Sequence, residues 1–111
     1  EEELAAAWVP VQARLRAFAA RAGRPLMLTE VGYPSQDGAA RRPWDYTVRA
    51  RADMEEQRRC FSALARTWRD DPVLEGIFIW EWSGAGGTSD LGYTPRGKPA
   101  EIVLRSWFRM K

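Results

Sequence analysis

The 111 residues carry 17 Lys and Arg against 15 Asp and Glu, and the resulting net charge of +2 offers no strong field to attract nucleic acid. A hydrophobic share of 45% beside 29% charged residues is that of a globular domain and excludes disorder, collagen-like sequence and a coiled coil. With no His and the single Cys60, a Ser-His-Asp triad, a His-metal site, an internal disulfide and a Cys-based zinc site are excluded, so any chemistry must come from carboxylates, Lys, Tyr or Cys.

Apolar residues at Leu4, Trp8, Val11, Leu15, Phe18 and Ala22 recur every three or four positions. They predict a helix over 1–22, kinked or restarted at Pro10 and stopped by Gly23. The run Leu26-Met27-Leu28-Thr29-Glu30-Val31, bounded by Gly23 and Gly32, predicts a strand over 25–31 buried on both sides. Residues 32–52 show neither a period of two nor one of 3.6, hold Pro34, Gly38 and Pro43, and read as a long loop. Asp53 followed by Glu56 resembles a capping box and opens a helix over 53–70 with Gln57, Cys60, Phe61, Leu64, Ala65 and Trp68 on its inner face. Pro72 ends that helix. A second apolar run predicts a strand over 76–82, a glycine-rich loop follows over 83–98, and Pro99 suits the first position of a helix over 99–109. The pairs Arg41-Arg42 and Arg58-Arg59 read as solvated surface.

Strands that alternate with helices imply right-handed crossovers and a parallel sheet, so the fold class is α/β. Two strands cannot hide both faces of a sheet. A closed barrel of eight strand–helix units takes about 250 residues, and 1–111 is therefore expected to be a single partial domain whose partner strands come from missing sequence or another chain. No apolar run approaches the roughly 20 residues of a membrane span. The start Glu1-Glu2-Glu3 is the opposite of a basic signal peptide; any signal would lie upstream, which leaves localisation open between secreted and cytoplasmic.

Functional groups of parallel α/β folds gather at the C-terminal ends of strands. Glu30 stands at such an end, and a carboxylate closing an apolar strand costs energy unless it is paired or used. If Glu30 points into a barrel, alternation puts Leu28 and Leu26 on the same face. On the second strand the set Phe78, Trp80 and Trp82 is expected inside near the mouth, which leaves Glu81 to pair with an Arg or a loop amide. Indoles at a mouth make a flat wall for a sugar ring, so Trp80 and Trp82 are candidate substrate contacts. The stretch Ser83-Gly84-Ala85-Gly86-Gly87 lacks the ending of a phosphate loop; its glycines let the backbone turn, with Asp90 a candidate hydroxyl acceptor. Lys98 beside Pro99 reads as turn chemistry.

Four blocks carry a family resemblance: Pro25 to Tyr33, Gly38-Ala39-Ala40 with Pro43-Trp44, Trp80-Glu81-Trp82 with Gly86-Gly87, and Tyr93 to Ala100. In this order and spacing the chain resembles the last quarter of clan A glycoside hydrolases, most closely glycoside hydrolase family 113, the β-mannanase family. The resemblance implies a partial TIM (β/α)8 barrel comprising strands seven and eight after helix six. It implies Glu30 as catalytic nucleophile, a tryptophan platform at Trp82 or Trp80, and Tyr33 among the substrate-binding residues. It also implies an acid/base on strand four, outside this chain, so that the missing N-terminal barrel segment is needed and the piece alone is inactive. No metal or organic cofactor is required, and the partner implied is a carbohydrate, with β-mannan favoured. The competing expectations are an inactive carbohydrate-binding barrel relative and a stand-alone interaction module.

Overall fold

The computed structural model describes residues 1–110 and contains five elements: α1 (Glu2–Ala22), β1 (Leu26–Val31), α2 (Met54–Trp68), β2 (Leu74–Ile79) and α3 (Pro99–Arg109). The strands pair in parallel as a two-stranded sheet, a mixed α/β arrangement with one crossover through α2.

Helix α1 runs unbroken through Pro10 rather than restarting there. The proline leaves the Ala6 carbonyl without its helical donor, but Ala6, Val9 and Pro10 are all exposed, so water can satisfy the freed group. The helix ends at Gly23 in the left-handed region at φ 63°, where its amide and that of Arg24 reach back to Ala20 O and Ala19 O. Phe18 does not join the inner face. It is 56% exposed, and Ala19 takes the buried position because no element packs over the Phe18 side. No helix among the described residues is long and apolar enough to cross a membrane.

At the start of α2 the Asp53 carboxylate accepts the Glu56 amide at 2.8 Å, but the reciprocal half of the capping box is absent. The Glu56 carboxylate turns instead to the long loop, accepting Gly38 N at 3.0 Å and Ala40 N at 2.8 Å. Asp37, Asp53 and Glu56 bring carboxylate oxygens within 4.8 Å of one another. This cluster is already engaged: Glu56 and Asp53 hold amides, and Asp37 lies 3.7 Å from Arg51.

The core lies on one side of the sheet. Leu26 and Leu74 from the strands meet Phe61, Leu64 and Trp68 of α2 and Ala100, Leu104 and Trp107 of α3. Trp8 of α1 sets its ring edge-on to Trp68, with centroids 6.1 Å apart. The other side of the sheet is bare: Met27 is 47%, Phe78 59% and Trp80 48% exposed.

The second strand begins two residues before the expected 76–82 span and ends three short of it. It begins early because Leu74 pairs with Leu26, and it ends with the Val31–Ile79 pair because β1 has no further residue to offer. One more ladder-like bond follows, from Trp80 N to Val31 O at 2.7 Å. At that point the backbones are so close that a Cβ on Gly32 would lie 1.7 Å from Trp80 O, so only glycine fits.

Candidate active site

The placement of Glu30 follows from an irregularity in the ladder. Leu28 pairs with Ile77 and Val31 with Ile79, so three steps of β1 match two of β2. The extra residue resets the alternation. Leu26 and Leu28 face the helices, not the inner face expected for them, and so does Val31 beyond the shift, while Thr29 and Glu30 between them are exposed. Strict alternation from Leu26 would have carried Glu30 into the helical core. The bulge keeps it on the open side.

A second irregularity, where the Leu26–Leu74 pair is followed by Met27–Gly76, sets Leu74, Ile77 and Ile79 of β2 all against the core; from Ile77 onward alternation leaves Phe78, and Trp80 just past the strand, on the open face. Glu30 and Trp80 therefore share a cleft of about 530 Å³ that Gly32, Pro43, Trp44, Tyr46, Glu81 and Tyr93 complete. Neither Glu30 nor Glu81 makes an ion pair or a side-chain hydrogen bond with any described residue. Glu81 was expected to hold an Arg or a loop amide. It lines the cleft beside Glu30 instead, because the chain leaves the ladder after Trp80 and turns Glu81 toward the opening.

Two expected contacts lie elsewhere. Tyr33 packs edge-to-face on Phe61 at 5.1 Å and lines the apolar recess between α1 and α2 with Trp8 and Cys60, not the Glu30 cleft. Burial, with the neighbouring Cys60, raises its phenol well above the ordinary range. Asp90 is taken up by its own loop, accepting Gly86 N and Gly92 N at 2.8 Å each, and these amides hold its carboxyl below the usual carboxylate range. Trp82 is 37% exposed and outside the residues lining the cleft, and its carbonyl accepts Thr94 Oγ1 at 3.0 Å.

The walls of the cleft are held by a seam between the loop after β1 and the loop after β2. Ser35 N donates to Gly92 O at 3.2 Å, Ser35 Oγ to Asp90 O at 3.0 Å and Gln36 Nε2 to Leu91 O at 2.9 Å. The Tyr93 hydroxyl donates to Pro43 O, next to Trp44. Lys98 closes the seam. Its side chain is fully buried, donating to Ser35 Oγ at 3.0 Å and Gly92 O at 3.1 Å, with Asp90 Oδ1 3.8 Å away. Desolvation lowers its ammonium from the ordinary value of 10.5, and Asp90 opposes that shift.

An unpaired carboxylate at a strand end beside an indole wall is one half of what nucleophilic sugar chemistry requires, the other half being a proton-donating carboxyl. The model of Glycoside Hydrolase Family 113 matches residues 3–95. The chain belongs to Glycoside Hydrolase Family 113. Among solved structures it is similar to a family 113 β-mannanase from Alicyclobacillus acidocaldarius in complex with ManMIm, at 33% identity and a TM-score of 0.79. It is also similar in fold to a family 113 β-1,4-mannanase, at 21% identity and a TM-score of 0.86. The match covers 94% of this chain in both cases but only 34% and 35% of those proteins, so the chain spans about a third of their length. No curated protein matches the chain in sequence. The two-stranded sheet with its helices is thus part of a family 113 barrel, and its bare face is the side that such a barrel encloses.

Around this cleft, sequence reasoning gave no substrate-contact role to Pro43, Trp44, Tyr46 or Tyr93, and it read Lys98 as turn chemistry alone. Trp44 and Tyr46 are 72% and 82% exposed in a loop without periodicity, and an aromatic pair two residues apart in such a loop was the available signal. Lys98 gave none, since only three-dimensional packing reveals that it is buried.

Proposed function

We propose that this chain supplies the last two strand–helix units and the nucleophile of a retaining β-glycosidase barrel that acts on β-mannan. The single observation that carries the reading is Glu30, a carboxylate without a partner at the end of β1, facing a cleft walled by Trp80, Trp44, Tyr46 and Tyr93. An unpaired carboxylate at the mouth is free to attack, whereas one fastened to an arginine would have its charge spent.

In this reading Glu30 Oε attacks the anomeric carbon while the glycosidic oxygen leaves with a proton from an acid/base carried outside these 111 residues. Water then attacks the glycosyl-enzyme, the same acid/base takes its proton, and the β configuration is retained. Trp80 forms the platform under the reacting sugar, and Trp82 stands farther out at the rim. Glu81 takes the part of hydroxyl acceptor first given to Asp90, and Tyr46 with Tyr93 takes the substrate-binding part first given to Tyr33. Without an acid to protonate the leaving group the chain alone is inactive. Mannan as the substrate rests on the family and on the β-mannanases among the similar structures.

The test is to express the chain with its upstream sequence and incubate the protein with an activated 2-deoxy-2-fluoro-β-mannoside. The expected result is a covalent adduct on the peptide bearing Glu30, found by mass spectrometry after proteolysis. Labelling of a different carboxylate would overturn the assignment.

A further inference from the structure

Trp44 and Tyr46 are large rings left 72% and 82% exposed, and both line the cleft that holds Glu30. They belong to the stretch 43–49, whose two ends are fastened. Before it, the Glu56 carboxylate accepts Gly38 N and Ala40 N. After it, Gln36 Oε1 accepts Ala50 N at 2.8 Å and Arg51 O accepts Asp37 N at 3.0 Å.

Between those anchors the hydrogen bonds are local. Asp45 N donates to Arg42 O, Tyr46 N to Trp44 O and Val48 N to Asp45 O, while the Asp45 carboxylate accepts the amide and the hydroxyl of Thr47. Bonds of this kind fix the shape of a turn and not its place in the molecule. Among the described residues, one hydrogen bond joins 43–49 to a distant part of the chain: the Tyr93 hydroxyl donates to Pro43 O, the carbonyl that precedes Trp44.

Tyr93, by contrast, is held from several sides. Gln57 of α2, wholly buried, donates through Nε2 to Tyr93 O at 3.3 Å and to Tyr33 O at 2.9 Å. Gly92 O, just before it, accepts Ser35 N at 3.2 Å and Lys98 Nζ at 3.1 Å. Thr94, just after it, is buried with its hydroxyl on Trp82 O. Burial and the charge of Asp45 raise the phenol above its ordinary 10.0, so the hydroxyl keeps the proton that it donates.

We propose that Tyr93 is a positioning residue, a strut whose hydroxyl holds the Pro43–Tyr46 arm at the Glu30 cleft so that Trp44 and Tyr46 meet the sugar chain already in place. This deepens the glycosidase reading and rests on it. A hydroxyl proton given to a main-chain carbonyl is not available to a sugar, so the hydroxyl acts through the arm while the ring lines the cleft. Rings fixed before binding spare the substrate the cost of ordering them, and the benefit appears as affinity. Contacts made equally in the ground state and the transition state act on KM rather than on kcat.

The test uses the chain joined to its upstream sequence, with β-1,4-mannohexaose as substrate. Tyr93→Phe deletes the hydroxyl and keeps the ring. KM should rise about fivefold, as the loss of one hydrogen bond of ordinary strength would give, with kcat lowered less than about twofold. Trp44→Ala combined with Tyr46→Ala should raise KM about tenfold through two lost aromatic contacts. Adding Tyr93→Phe to that pair should change KM by less than about twofold, because the strut then has nothing to position. In fluorotryptophan-labelled protein, the fluorine resonance of Trp44, assigned with Trp44→Phe, should shift or broaden in Tyr93→Phe while those of Trp68 and Trp107 stay in place. An equal rise in KM with and without the two rings overturns the proposal, since the hydroxyl would then act on the sugar directly. So does an unmoved Trp44 resonance, or an unchanged KM in Tyr93→Phe. Hydrolysis and labelling at Glu30 with KM indifferent to Tyr93→Phe sink the strut and leave the nucleophile standing. A wild-type protein that leaves mannohexaose intact fails the glycosidase reading, and the role of the strut falls with it even where the Trp44 resonance moves.

Discussion

The two sides of the sheet present opposite solutions to the burial of apolar surface. On the helical side Phe61, Leu64, Trp68 and Leu104 are wholly buried, and the strands contribute Leu26 and Leu74 to the same core. On the other side Met27 and Phe78 of the same two strands and Trp80 just past β2 stand exposed, and so do the unpaired Glu30 and its cleft. Identical backbone hydrogen bonding thus supports a finished core on one face and an unfinished one on the other. Stability should reside in the first face and chemistry in the second.

Truncation should separate the faces most sharply. Trp68→Ala empties a fully buried site and is expected to cost about 3–5 kcal/mol. Phe78→Ala, at a side chain already 59% exposed, should cost under about 1 kcal/mol in this chain. Urea denaturation followed by far-ultraviolet circular dichroism measures both, and comparable losses would erase the contrast. In a protein extended by its upstream barrel segment, the Phe78→Ala cost should climb toward that of a buried aromatic.

Lys98→Met probes the seam that joins the faces. Its partners keep other bonds: Gly92 O still accepts Ser35 N, and Asp90 still holds two amides. The expected loss is therefore only about 1–2 kcal/mol. Hydrogen exchange should nonetheless quicken at Ser35 and Gly92 while α2 and α3 stay protected, and an unchanged seam would show that Lys98 holds nothing.

The smallest effect is expected at Asp71, on the helical side. Burial raises its carboxyl, but the Val73 amide, Gln12 and Arg16 outweigh that and bring it below the ordinary 3.8. A depressed carboxyl stabilises the folded chain above 3.8, and the contribution drains away as pH falls through the lower folded value. Asp71→Asn should accordingly cost about 1 kcal/mol at pH 7, with the gap from wild type closing below pH 3.8. Thermal melts across pH 2.5–7 (a range spanning the roughly one-unit spread of carboxylate pKa values) would show it, and a pH-independent gap would contradict it.

Much of the helical side was legible in the sequence. The three-and-four spacing of Cys60, Phe61, Leu64 and Trp68 reports a buried helix face because burial acts through a local repeat. The position of Glu30 at the mouth was legible too, though the reason was not: strict alternation grouped it with Leu28, and the bulge that frees it depends on pairing with β2. Tyr33 and Asp90 were misplaced because their neighbours come from α2 and from a folded-back loop, contacts that no local pattern encodes. Lys98 was invisible for the same reason.

The central claim is that Glu30 attacks the sugar. Glu30→Ala, made in the chain joined to its upstream sequence, should leave hydrolysis of an aryl β-mannoside close to background. Added azide should then restore turnover and yield the α-mannosyl azide, since the small anion enters where the carboxylate stood. Full activity in Glu30→Ala without azide, or a β-configured azide product, would contradict the account.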